Sequence, residues 1–243
     1  MTTEFWIGLI RIVMINIALS GDNAVVIAMA ARGLPVPQQR TAILWGCGGA
    51  VVLRVLLTMV AVTLLKIPFL QCVGGLLLVW IAYQLLVEDD EPNGTSHHRH
   101  GNLGSAVKTI LIADVVMSLD NTLAIAGAAK GDYVLLGLGL ALSIPLVVFG
   151  SSLIMKMMER FPIIVYIGAG VIAYTAGEMI ETDKLLQPYL PQIFHHLPYL
   201  PAGLLTTAVV GFGWWRNRRR GRSARDVLTA DEHAAQRLED KID

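Results

Sequence analysis

The stretch ALSGDNAVVIAMAARG, residues 18–33, sets Asp22 and Asn23 side by side in a segment otherwise apolar enough for a membrane interior. Near the middle of the chain, VMSLDNTLAIAGAAKG, residues 116–131, repeats the pattern. Asp22 and Asp120 stand 98 positions apart, and at that shift Ser20 falls on Ser118, Asn23 on Asn121, Ile27 on Ile125, Ala28 on Ala126 and Gly33 on Gly131, while Asn16 falls on Asp114. A second match, at a shift of 94, sets Ile67-Pro68-Phe69 against Phe161-Pro162-Ile163, Gly74 against Gly168 and Gln84 against Glu178.

The surroundings of these segments decide the fold class. Of 243 residues, 54% are hydrophobic and only 16% charged, with a mean hydropathy of +0.58, whereas a soluble domain carries about 25% charged residues. That balance excludes an ordinary soluble domain and implies an all-α, polytopic membrane protein. A span takes about 20 mostly apolar residues. Seven stretches qualify, about Phe5 to Ala31, Thr41 to Leu65, Pro68 to Val87, Ser105 to Ala129, Tyr133 to Met155, Pro162 to Ile180 and Leu200 to Trp215. Residues 1–215 therefore read as one transmembrane domain, 88–104 as an acidic and His-rich loop, and 216–243 as a basic, then mixed-charge tail. The first span does not read as a cleaved signal peptide, since Glu4 precedes it, no basic residue does, and an h-region would not carry Asp22-Asn23. Cys47 and Cys72 both fall inside spans and imply no disulfide framework.

Spans one to three, about 5–87, and spans four to six, about 105–180, form the two copies of the repeat, with the stretch at 200–215 as a seventh helix. Three is odd, so the second copy crosses in the opposite direction to the first: an inverted repeat. Transporters built this way place their site near the midplane where the copies meet, often on interrupted helices. Gly21 beside Asp22 would permit such a break in span one, while Leu119 before Asp120 offers span four no such help. Basic residues gather after spans one, three, five and seven, most densely at Arg216, Arg218, Arg219, Arg220 and Arg222. The positive-inside rule then puts the N-terminus outside and the C-terminus in the cytoplasm. With a formal net charge of zero, the tail reads as an anchor beside anionic lipid and calls for no nucleic acid.

An ionised side chain at the bilayer centre costs at least about 2.5 to 3.5 kcal/mol on insertion scales, so an intramembrane Asp is a functional candidate by default. Asn16, Ser20 and Asn23 share one helix face, as do Asp114, Ser118 and Asn121; Asp22 and Asp120 flank these stripes by about 100°. The candidate site is thus Asp22, Asn23, Asp120 and Asn121, with Asp114, Asn16, Ser20 and Ser118 as further ligands. All supply oxygen, which suits Mg²⁺, Ca²⁺ or Mn²⁺ rather than a thiolate-loving metal. Ser20 and Ser118 taken alone read as interhelical hydrogen-bonding groups. Arg54, inside span two, has no basic counterpart in span five and needs either an acidic partner or a gating role; Arg11 suits snorkelling to an interface. Glu178 reads as a solvated helix end with Glu181 and Asp183, or as an exit-side relay. The loop EDDEPNGTSHHRHGN, residues 88–102, could collect metal but is equally a solvated linker, and the role of His195 and His196 stays open. No Gly-rich phosphate loop and no GxSxG motif is present, so the chain does not read as an enzyme.

SGDNAVVIA and DVVMSLDNTLAIAGAA resemble the signature segments of the TerC family of integral membrane proteins, in particular its compact YjbE-type branch, over about residues 5 to 215. The resemblance implies a seven-helix transporter related to exporters of manganese and other divalent cations, with the intramembrane acids as the metal site and no resident cofactor. Charge balance adds a cycle. A divalent cation neutralises Asp22 and Asp120, the halves rock, and protons replace the metal, giving cation/proton antiport. A passive cation channel, or a membrane scaffold that delivers metal to secreted proteins, would use the same acids. The partners expected are the cation, protons and the bilayer, with oligomeric state open.

Overall fold

Helices make up nearly all of what the computed structural model describes, residues 3–64, 67–87, 102–129, 132–183, 186 and 199–239; within these, the side chains of 3, 4, 61–63, 120, 123, 126, 133 and 220–239 lie outside the description. The described residues form α1 (Thr3–Ala18), α2 (Gly21–Arg32), α3 (Val36–Leu64), α4 (Leu70–Val87), α5 (Leu103–Ala129), α6 (Tyr133–Arg160), α7 (Ile163–Thr182) and α8 (Leu200–Glu239). No strand occurs among them. The His-rich segment at 88–101 and the loop holding His195 and His196 fall outside the described residues.

The molecule is arranged for lipid. Trp6, Trp45, Trp80, Phe149 and Ile163 are each more than half exposed, while Asn16, Asn23, Arg54, Asp114 and Ser143 are buried. A surface so apolar around a polar interior is stable where hydrocarbon, not water, is the solvent. Among the described residues, four helices are long and apolar enough to cross a membrane: α3 over Val36–Val60, α4, α6 over Val134–Arg160, and α7. α1 and α2 make a fifth if taken as one span bent by 54°. Of the seven spans expected, length and apolarity among the described residues support four or five. α8 is 40 residues long, but its apolar part stops at Arg216; α5, 27 residues long, has side chains outside the description at 120, 123 and 126, so no 18-residue stretch of it is fully described.

Side-chain packing follows an exchange pattern. α3 lies along α5, while α6 lies along α1 and α2; α4 packs on α7, α2 on α5 and α3 on α6. α8 leans on α7 and α4. Two of these seams depend on the absence of a side chain: a Cβ at Gly75 would stand 2.6 Å from the Ala176 carbonyl oxygen, and one at Gly177 would stand 2.5 Å from the Ala202 Cα. At one end of the bundle, Arg216 of α8 donates to the Tyr83 hydroxyl of α4, and Asn217 donates to the Tyr166 hydroxyl of α7 at 3.2 Å. Arg218 and Arg219 lie over the Trp214 and Trp215 rings at 5.0 and 3.9 Å. The end of α4, the start of α7 and the basic end of α8 therefore share one face, and an aromatic layer carries the arginines.

Gly177→Ala should destabilise the protein by about 1–3 kcal/mol, because backbone of α8 occupies the space and cannot yield as a side chain can. Gly203→Ala, where a Cβ meets nothing within 4 Å, should be neutral or slightly stabilising. Unfolding in detergent with increasing denaturant checks both.

Candidate functional site: a broken span between two polar cavities

The break between α1 and α2 falls at Leu19 and Ser20, within the repeated segment. Ser20 sits at φ −111°, ψ 6°, and its side chain makes no cap hydrogen bond. In an unbroken helix the Asn23 N–H would bond the Leu19 carbonyl; here it donates to the Asp22 carboxylate at 2.8 Å. The Leu19 carbonyl accepts instead from the side-chain amides of Asn23, at 3.5 Å, and Asn121, at 3.3 Å. A carboxylate competing for backbone is a known reason for Asp to interrupt helices. The paired asparagines of the repeat thus converge on one carbonyl freed by the break. A Cβ on Gly21 would meet nothing within 4 Å, so crowding does not require glycine there. α5 carries its own copy of the motif through an unbroken helix, as Leu119 led us to expect.

On one side of the break lies a small buried cavity of about 20 Å³, lined by Asn16, Ser20, Asn23, Arg54, Asp114 and Ser143, with Cys47 beside them. Arg54 is the organiser. Its Nη2 meets Asp114 Oδ1 at 2.5 Å, and its Nη1 donates to Asn16 Oδ1 at 2.5 Å and to Ser20 Oγ at 3.4 Å. Asn16 Nδ2 donates in turn to Ser143 Oγ, whose hydroxyl donates to the Leu140 carbonyl at 2.6 Å. Arg54 has the acidic partner that its position demanded. Two acceptors in this cavity's lining, Asp114 Oδ2 and Asn23 Oδ1, are buried without a hydrogen-bond partner.

On the other side opens a cavity of about 750 Å³ lined by Asp22, Asn121, Thr175, Glu178, Glu181 and Tyr199, among others. Of the sequence-derived set, Asn16, Ser20, Asn23 and Asp114 gather in the deep cavity, and Asp22 and Asn121 in the open one. Ser118 is fully buried with its hydroxyl unpartnered and lines neither. The side chain of Asp120 lies outside the description. Among the described residues no group of three or more His, Cys, Asp or Glu gathers to hold a metal ion. The angular offset of Asp22 from the Asn16–Ser20–Asn23 stripe accounts for the division, since the break turns them toward different spaces. Glu178 is the addition that helix-end reasoning undervalued: it faces the same cavity as Asp22. Asp183 is buried and accepts from the Cys72 N–H at 3.1 Å, tying the end of α7 to the start of α4.

A model of the integral membrane protein TerC family matches residues 1–221. The membrane protein YjbE of Bacillus subtilis (strain 168) is 47% identical over 193 residues, 79% of this chain and 87% of that one. The inner membrane protein YgdQ of Escherichia coli (strain K12) is 26% identical over 174 residues, 65% of this chain and 73% of that one. These names describe membrane proteins and no enzyme. No solved structure matches.

Asp114→Ala should cost about 3–5 kcal/mol, because it strands a buried guanidinium. The double change Asp114→Ala with Arg54→Met should cost less than that single one, and the order of unfolding midpoints among wild type, single and double variants reads this directly.

Proposed function

The chain belongs to the integral membrane protein TerC family, and we propose that it exports a divalent cation, Mn²⁺ before Ca²⁺ or Mg²⁺, across a bacterial inner membrane by proton-coupled alternating access. The observation that carries this reading is the broken first span with Asp22 at the break. The N-terminus of α2 offers its positive dipole end to the Asp22 carboxylate in its first turn, while the C-terminal end of α1 presents carbonyl oxygens suited to a cation. Asp22 and Asn121, one from each copy of the repeat, line one cavity. Asp120 is the second carboxylate in this scheme, and Asn121, which lines the same cavity as Asp22, adds an oxygen; Asn23 lines the other cavity and stands outside this set.

The exchange pattern of packing supports two inverted halves. If α1 with α2 corresponds to α5, α3 to α6 and α4 to α7, then the α3–α5 seam and the seam of α6 with α1 and α2 are the same contact seen twice, and the α4–α7, α2–α5 and α3–α6 seams map onto themselves. The shared face of the α4 end, the α7 start and the α8 arginines supports a cytoplasmic C-terminus under the positive-inside rule. The choice of Mn²⁺ rests on the family resemblance, since oxygen ligands alone admit all three ions.

In the cycle, a dehydrating divalent cation neutralises Asp22 and Asp120 together; after the halves rock, protons take its place and reset the carrier. Glu178, which lines the same cavity as Asp22, passes protons or metal outward in this cycle. Purified full-length chain in liposomes should move Mn²⁺ down its gradient with opposite movement of protons. Asp22→Asn and Asp120→Asn should each lower the rate at least about tenfold, the loss of about 1.4 kcal/mol of binding. Flux without proton movement would contradict the antiport, and no flux at all would favour a metal-delivering scaffold.

A further inference from the structure

The deep cavity has a donor and acceptor balance that the transport cycle does not use. Five side-chain oxygens on residues lining this cavity are either bonded by Arg54 or left over: Asn16 Oδ1, Ser20 Oγ and Asp114 Oδ1, which it bonds, and Asn23 Oδ1 and Asp114 Oδ2, which have no hydrogen-bond partner. The amides of Asn16 and Asn23 and the Ser143 hydroxyl already donate, to Ser143, the Leu19 carbonyl and the Leu140 carbonyl, and a buried set of oxygens with its neighbouring donors engaged elsewhere is the chemistry of a cation site. The two shortest bonds go to Asn16 and Asp114, which occupy equivalent positions in the repeat. The guanidinium thus bridges the halves where a free cation would sit. The mismatch between these mates has a charge-based reason: one guanidinium needs one carboxylate, so the other position is an amide. The volume left over, about 20 Å³, accepts a single water and nothing larger.

We propose that this cavity is a monovalent-cation site whose permanent occupant is the Arg54 guanidinium, which closes the inner chamber to small cations and confines the transported ion to the Asp22 side. Arg54 is here a specificity-determining residue that acts by occupancy. Removing its side chain leaves room together with an uncompensated Asp114 carboxylate, and a free cation of the same class should enter.

The test uses purified full-length Arg54→Ala, with thermal unfolding followed in millimolar ethylguanidinium or in its neutral counterpart of the same shape, ethylurea. The variant should melt about 5 °C or more below wild type. Ethylguanidinium should recover at least half of that loss and ethylurea none, while wild type and Arg54→Ala/Asp114→Asn should respond to neither. Equal recovery by ethylurea would reduce Arg54 to a space-filler, and an unchanged melting point in Arg54→Ala, or a response in the double variant, would overturn the proposal. If Arg54→Ala does not fold, Arg54→Lys and Arg54→Gln carry the test: the charged Lys should lie closer to wild type, and the reverse order would overturn it. Melting is read without metal, so the outcome is independent of whether the protein transports Mn²⁺.

Discussion

A charge inside hydrocarbon must find its opposite, and Arg54 and Asp114 do so at 2.5 Å with almost no exposure of either side chain. Because the guanidinium is planar and presents several donors, it also holds Asn16 and Ser20. One side chain of α3 thereby fixes α5, the end of α1 and the start of α2 relative to each other. The broken span keeps its shape because this anchor is on one side of it and the asparagine pair on the other. A lysine, with a single compact ammonium, could not span the same set of acceptors.

The break is therefore a consequence of polar competition inside an apolar setting. Asp22 takes the Asn23 N–H, the Leu19 carbonyl is left for two side-chain amides, and the axis turns by 54°. Buried backbone groups that leave a helix need partners close by, and the repeat provides one from each half. The same turn separates the interior into a neutral inner chamber, closed by its own cation, and an acidic outer one. An ion entering from the Asp22 side meets Asp22 and Glu178 before it meets any positive side chain among the described residues lining that cavity.

Much of this was legible in the sequence. Apolar run lengths marked the helices, the shift of 98 marked the repeated motif, and the cost of an Asp in lipid singled out Asp22 and Asp120, with Asp114 as a further ligand. Helical spacing even foretold that Asp22 would point away from Asn16, Ser20 and Asn23. What spacing could not give was which helix each face would meet. Asp114 was expected among the metal ligands, yet one of its oxygens is held by Arg54, a pairing across 60 residues that no local pattern encodes. Glu178 looked like a solvated helix end because its neighbours Glu181 and Asp183 are acidic, and only the approach of α7 to the α1–α2 break turns it toward Asp22.

On the proposed cycle, the carboxylate at the break between α1 and α2, joined by Asp120, holds a divalent ion. Equilibrium binding of Mn²⁺ to the purified chain in lipid nanodiscs, followed by loss of the free-ion paramagnetic resonance signal, tests it most directly. The account predicts a single bound Mn²⁺ per chain that disappears in Asp22→Asn and in Asp120→Asn but survives Glu181→Gln. Undiminished binding after both aspartates are changed together would contradict it.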